Sequence, residues 1–161
     1  MEFRAKRVAH EFVQTNSAIP AKVFPLLCPV REAEWVPGWQ YRLIYSKTGV
    51  AEMGCVFVTP NSDGSETVWT VTEYDPANFQ IAFAWVHPQV MTAQIEISLK
   101  QKGSDSTEAR VRYTYTGLSS EGNAEIDRYD EEWFRHKMTS WEAAVNHYLR
   151  TGKRMDKAES E

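Results

Sequence analysis

Cysteine is scarce in this chain of 161 residues, which holds only Cys28 and Cys55. Neither belongs to a C-x-x-C pair or has a histidine close by in sequence, so a disulfide framework and an ordinary zinc site are both excluded. Both cysteines read as reduced, buried, small apolar residues, which points to a cytoplasmic protein. Long hydrophobic runs are missing too. No stretch approaches the ~18 apolar residues of a membrane span, and Met1 to Lys6 has no apolar core that could act as a secretory signal. Nor is there a basic excess. Eighteen Lys and Arg stand against 22 Asp and Glu, a formal charge of −4, whereas nucleic-acid binders carry a basic footprint. The richest basic stretch, Arg4 to Arg7, reads as a solvated strand edge, so no nucleic-acid partner is expected. Phosphate cradles, nucleophile elbows and metal-ligand spacings are absent, and neither a metal nor a cofactor is expected. With no repeat, linker or low-complexity run, the chain reads as one domain over 1–152 followed by a polar tail over 153–161. A chain of this length buries about 70% of its unfolded surface and needs no staple.

What the sequence does have is aromatic residues, at 12%, including six tryptophans. Disordered chains are poor in aromatics, so these side chains line or fill an interior. The elements that carry them follow from periodicity. Arg7 to Thr15 is a strand with Val8, His10 and Phe12 on one face. Ile19 to Leu27 and Val30 to Trp35 are short helical pieces cut by Pro25, Pro29 and Pro37-Gly38. Strands follow at Tyr41–Tyr45, Cys55–Thr59, Glu66–Tyr74 and Phe79–Val86. In the next two, Met91, Ala93, Ile95, Ile97 and Leu99, then Ala109, Val111, Tyr113 and Tyr115, face inward. Thr, Gln, Glu, Lys and Arg face outward, a wet outer face with no apolar patch. A long helix is expected from Ile126 to Thr151, with Phe134, Met138, Trp141, Val145, Tyr148 and Leu149 on one stripe. Asp127 to Glu132 forms its solvated, dipole-matched start, and Gly152 stands at the position that ends it.

Three stretches resemble a known family. Ile19-Pro20-Ala21-Lys22-Val23-Phe24-Pro25-Leu26-Leu27 is similar to the short helix that follows the first strand in the START-like, or SRPBCC, superfamily. That superfamily includes the birch-pollen-allergen fold and the polyketide cyclase/dehydrase group. Cys28 to Trp39 resembles the tryptophan-containing turn of one bacterial subgroup. Tyr115-Thr116-Gly117-Leu118-Ser119-Ser120-Glu121-Gly122-Asn123, with the helix after it, resembles that subgroup's ending. The resemblance implies an α+β helix-grip fold, in which a curved seven-stranded antiparallel sheet wraps around the long C-terminal helix and two short helices follow the first strand. It also implies a cavity for a lipid, sterol or polyketide-like molecule.

On that frame the ligand-cavity candidates are Phe57, Trp85, Ile95, Ile97, Tyr113 and Tyr115 on the sheet. Phe134, Met138 and Trp141 face them from the helix, and Trp35 and Trp39 sit at an expected entrance. For Trp85 the residues leave open whether its face or that of Ala84 points inward. Acid–base chemistry near neutral pH would fall to a histidine; His10 and His87 are the candidates, while His136 and His147 lie off the helix stripe. Glu32 and Glu34 do not form a catalytic pair, because positions i and i+2 of a helix diverge. The leading expectation is a monomer or weak homodimer that binds a small hydrophobic molecule. The alternatives are a cyclase, dehydratase or hydrolase acting in the same cavity, and a protein-interaction module without a ligand.

Overall fold

The period-two segments form strands β1 (Arg7–Asn16), β2 (Arg42–Tyr45), β3 (Val56–Pro60), β4 (Glu66–Asp75), β5 (Gln80–His87), β6 (Met91–Gly103) and β7 (Ser106–Gly117) in a computed structural model that describes residues 2–156. Residues 157–161 of the expected tail lie outside the described residues. The strands make one antiparallel sheet in the order β1-β7-β6-β5-β4-β3-β2. β1 alone leaves sequence order and pairs with β7.

Between β1 and β2 lie α1 (Pro20–Val23), a 3-10 turn (Phe24–Leu26) and α2 (Pro29–Glu32). Pro20 and Pro29 open the two helices, at positions whose N–H would have no helical partner anyway. Pro25 and Pro29 together keep each piece to about one turn.

The register places the inward residues in continuous rows. Val8, Tyr115, Ala93, Trp85, Trp69, Phe57 and Leu43 are successive cross-strand partners over all seven strands. Beside them run His10, Tyr113, Ile95, Phe83 and Val71. The first row settles the orientation of β5: Trp85 points inward and Ala84 outward. Phe57, Ile95, Tyr115 and their neighbours are buried, and each such side chain stabilises the fold by about 1.5–3 kcal/mol.

The outer face differs from expectation. Over β6 and β7 it is polar, with Glu96, Arg110 and Arg112 in a loose ion-pair network with Glu11. Over β3 to β5, however, Val56, Val58, Val68, Ala84 and Val86 point outward, and Val68 and Val86 face each other at 39% exposure each. The cause is local: these strands carry β-branched or small apolar residues at both parities.

The C-terminal helix is also corrected. It is two helices, α3 (Ser120–Ile126) and α4 (Glu131–Thr151), rather than one from Ile126. Each has its own N-cap. The Ser119 hydroxyl accepts the Gly122 N–H at 3.2 Å, and the Asp130 carboxylate accepts the Trp133 N–H at 2.8 Å. Asp130 is extended at φ −78°, ψ 178°, which an uninterrupted helix forbids. The acidic cluster therefore divides its work: Asp127 binds Lys6 at 2.8 Å, Asp130 caps, and Glu131 and Glu132 fill the first turn of α4.

α4 lies along the concave face and buries Phe134, Met138, Ala144 and Val145. Its far half is tied to β1, where Glu142 accepts the Thr15 N–H at 2.7 Å and Asn146 bonds both Thr15 O and Ser17 N–H at 2.9 Å. Gly152 closes it at φ 70°. α3 crosses the β5–β6 turn so closely that a Cβ on Gly122 would stand 1.7 Å from Val90 O.

Candidate functional site

The concave face and α4 do not close on each other completely. A cavity of about 630 Å³ enters between the β3–β4 loop, the β5–β6 turn and α3. Exposed Ser62, Asp63 and Glu121 stand at its rim, and half-buried Trp69, Trp85, Tyr129 and Lys137 line it further in.

Its walls are built by stacking. The Phe57 and Trp69 rings lie 5.2 Å apart, Trp69 and Trp85 6.1 Å, and Trp85 and Tyr115 6.2 Å. Across the gap, Tyr129 stacks flat on Trp133 at 4.0 Å and meets Tyr115 edge-on at 5.0 Å. Trp69 is fixed by an indole N–H donated to Thr59 Oγ1 at 3.0 Å. Offset and edge-on aromatic pairs each add about 0.5–1.5 kcal/mol beyond area burial. The wall is accordingly stiff.

Lys137 is the residue that periodicity does not announce. It follows Trp133 by one helical turn and precedes Trp141 by another, which places a cation on the shoulder of the apolar stripe. Its Nζ lies 4.7 Å from the Tyr113 ring centre, 5.3 Å from that of Trp133 and 5.8 Å from that of Tyr115. It donates one long hydrogen bond, 3.3 Å, to Tyr115 Oη. Among the described residues no carboxylate reaches it. Desolvation lowers its pKa to about 8.

Glu32, at the end of α2, is a second desolvated titratable group. Burial pushes its carboxyl up to about 8, and the side chain makes no hydrogen bond among the described residues. It acts electrostatically on Tyr113, whose hydroxyl is pushed well above its ordinary value by burial and then by Glu32. Burial raises Tyr115 as well, followed by the charges of Tyr113 and Tyr129. The interior thus holds a neutral carboxyl, two neutral phenols and an ammonium with spare donors. Charge on this scale in an apolar interior costs stability, and such groups concentrate at functional sites.

The residues singled out from sequence are distributed as follows. Of these, Trp85 lines the cavity, whereas Phe57, Ile95, Ile97, Tyr115, Phe134 and Met138 are buried members of the main core and are not part of the lining. Tyr113 and Trp141 are half-buried beside that core. Trp39 closes the side, with its ring 6.4 Å from both Phe57 and Trp69 and its N–H bonded to Pro29 O at 2.9 Å. Trp35 does not stand at an entrance. It is 0% exposed, donates to Leu26 O at 3.0 Å and packs on Trp141 at 5.1 Å in a second small core with Ala144 and Val145. A side chain with no free surface plugs the fold and leaves the opening to the loops opposite.

The histidines are engaged. His10 donates from Nε2 to Tyr129 O at 2.6 Å and stacks on Phe134 at 5.1 Å. His87 is on the cavity wall, 3.1 Å from Ser65 Oγ. Ser65 gives its proton to Asp63 at 2.5 Å, so His87 donates to Ser65 and does not activate it as a nucleophile. These bonds hold the Asp63 carboxyl below its ordinary range. Cys28 and Cys55 are buried and unbonded to each other. No metal-competent cluster of His, Cys, Asp and Glu exists among the described residues, and none of their helices is long and apolar enough to cross a membrane.

A seven-stranded antiparallel sheet packed on a long C-terminal helix, with short helices after the first strand, is an architecture shared by solved structures. Norcoclaurine synthase from Thalictrum flavum superposes with a TM-score of 0.64 at 12% identity, over 92% of this chain and 88% of that one. A Rhizobium loti protein superposes at 0.63 and 16% identity, over 90% and 99%. The di-domain ARO/CYC BexL of the BE-7585A biosynthetic pathway superposes at 0.60 and 17% identity, over 90% of this chain and 46% of that one, so this chain spans less than half of it. No family model and no curated protein matches the sequence. The chain shares the helix-grip fold of these structures. At these identities the shared property is the fold.

Proposed function

We propose that this protein binds a small, largely apolar molecule in the cavity between the sheet and α4, with Trp69, Trp85 and Tyr129 as the contact surface. The observation that carries this reading is the cavity itself: about 630 Å³, with the rings of Trp69, Trp85 and Tyr129 set among polar groups that include Thr59, Asn61, His87 and Lys137. Ligand sites are concave and combine apolar or aromatic surface with placed polar groups, and this cavity supplies both: Trp69, Trp85, Val90, Met91 and Tyr129 beside polar side chains. Thermal-shift titration with fatty acids, sterols and aromatic polyketides tests it. At least one class raises the melting temperature in a concentration-dependent manner, and Trp85→Ala weakens that ligand about tenfold. A panel without any stabilising compound would falsify the reading.

A second reading, a cyclase- or dehydratase-type enzyme, is favoured by one observation. Glu32 is not among the residues that line the cavity, but burial raises its carboxyl to about 8, where it can exchange a proton near neutral pH, and it acts electrostatically on Tyr113. Turnover of a poly-β-ketone or 1,3-diketone that disappears in Glu32→Gln while binding persists would select this reading over simple binding.

A further inference from the structure

We propose that the cavity takes a ligand with a single anionic oxygen group, a carboxylate or phenolate on an aromatic or polycyclic body, and that Lys137 is its anchor. The inference rests on the cavity being a ligand site and adds the chemistry of the ligand.

Among the described residues no carboxylate pairs with Lys137. One of its three donors is used, weakly, by Tyr115 Oη, and three aromatic rings stand within 6 Å of Nζ. Rings stabilise a cation by their faces but leave its N–H groups unbonded. An ammonium in that setting lacks one thing, an acceptor carrying negative charge, and the cavity delivers one directly onto it, since Lys137 is part of the lining. Burying the anion against Lys137 completes a charge pair that the empty protein leaves half-made.

The rest of the lining limits the ligand further. Charged and titratable groups facing the cavity are Asp63 and His87 at the strand loops, Glu121 and Glu125 on α3, and Tyr129 after it. Tyr113 and Tyr115 approach Lys137 from β7. Glu125 is neutralised by Arg128, and Asp63 is satisfied by Ser65. Glu121 at the rim has no ion-pair partner among the described residues. Among the described residues no second lysine or arginine lines the cavity, so a phosphate diester, a nucleotide or any polyanion finds acidic groups where it needs basic ones. A monoanion with an apolar body fits both ends. Ammonium protonation also ties the affinity to pH: an anion binds the charged lysine, so its affinity falls as pH rises beyond about 8.

Isothermal titration with 2-naphthoate and its neutral counterpart 2-naphthalenemethanol tests this in the wild-type protein, Lys137→Met and Trp85→Ala. The wild type is expected to bind naphthoate at least about tenfold more tightly than the alcohol at pH 7, with the preference shrinking between pH 8 and 9.5. In Lys137→Met the preference vanishes while alcohol binding persists, which also shows that the variant is folded. Trp85→Ala weakens both probes together. Equal binding of the two probes by the wild type, or a preference that survives in Lys137→Met, overturns the anionic anchor and leaves the cavity reading standing. Failure of both probes to bind overturns both.

Discussion

A lysine and a glutamate with depleted hydration set the pH dependence of this molecule. Glu32 has its folded pKa raised to about 8, so the native state binds more protons than the unfolded state between roughly pH 4.5 and 8. Stability is therefore highest below that window, falls across it and is flat above it. Lys137 has its folded pKa lowered to about 8; the unfolded state holds the extra proton up to roughly pH 10.5, and stability rises from pH 8 to that value. Glu32→Gln is expected to flatten the lower window and to gain on the order of 2–4 kcal/mol at pH 8, read by urea denaturation at several pH values. Lys137→Met is expected to flatten the upper one. Periodicity could not rank these two residues, because it counts apolar positions and passes over a charge among them. The signal was present nonetheless: Lys137 is flanked at i−4, i−3 and i+4 by Trp133, Phe134 and Trp141. Sequence spacing sets Glu32 beside Glu34, while its relevant neighbour, Tyr113, is distant in sequence and reached only through the fold.

Elements record how much alternation can tell. The β6–β7 hairpin is regular because one face meets α4 and the other meets water, and both its strands were legible from parity alone. For β5 the parity was ambiguous, since Ile81-Ala82-Phe83-Ala84-Trp85-Val86 is apolar on both faces, and only the cross-strand row through Trp69 and Ala93 resolves it. The α3–α4 division was hidden for another reason. Asp127 to Glu132 suits a helix start by charge, and charge does not distinguish a first turn from a cap. Asp130→Ala is expected to cost about 1 kcal/mol by removing the bond to Trp133 N–H, and Asp130→Asn to restore most of it; thermal unfolding of both variants checks this. Gly122→Ala is expected to cost more, about 2 kcal/mol or beyond, because the added methyl meets the Val90 carbonyl rather than a movable side chain. Its loss would be accompanied by faster amide exchange in α3.

At the scale of the whole molecule, β1 is the last piece to have a partner. It pairs along its full length with β7, from Arg7 opposite Thr116 to Asn16 opposite Thr107, and α4 is then bonded to its far end. Pairings this remote in sequence make folding slow, in the millisecond-to-second range, because loop closure precedes the contacts that reward it. Stopped-flow refolding is expected to show that rate. Equilibrium unfolding followed by far- and near-ultraviolet signals is expected to give coincident curves, since the aromatic interior and the sheet share one core.

The row of rings across the sheet has an optical consequence. Trp69 stands 6.1 Å from Trp85 and 6.4 Å from Trp39, at interplanar angles of 45° and 78°. Indole transitions that close and that skewed exchange excitation and couple, so the folded protein carries an exciton couplet in its circular dichroism, with fluorescence shared among the three chromophores. A molecule entering beside Trp85 perturbs the whole set at once, and occupancy of the interior can be read without a label.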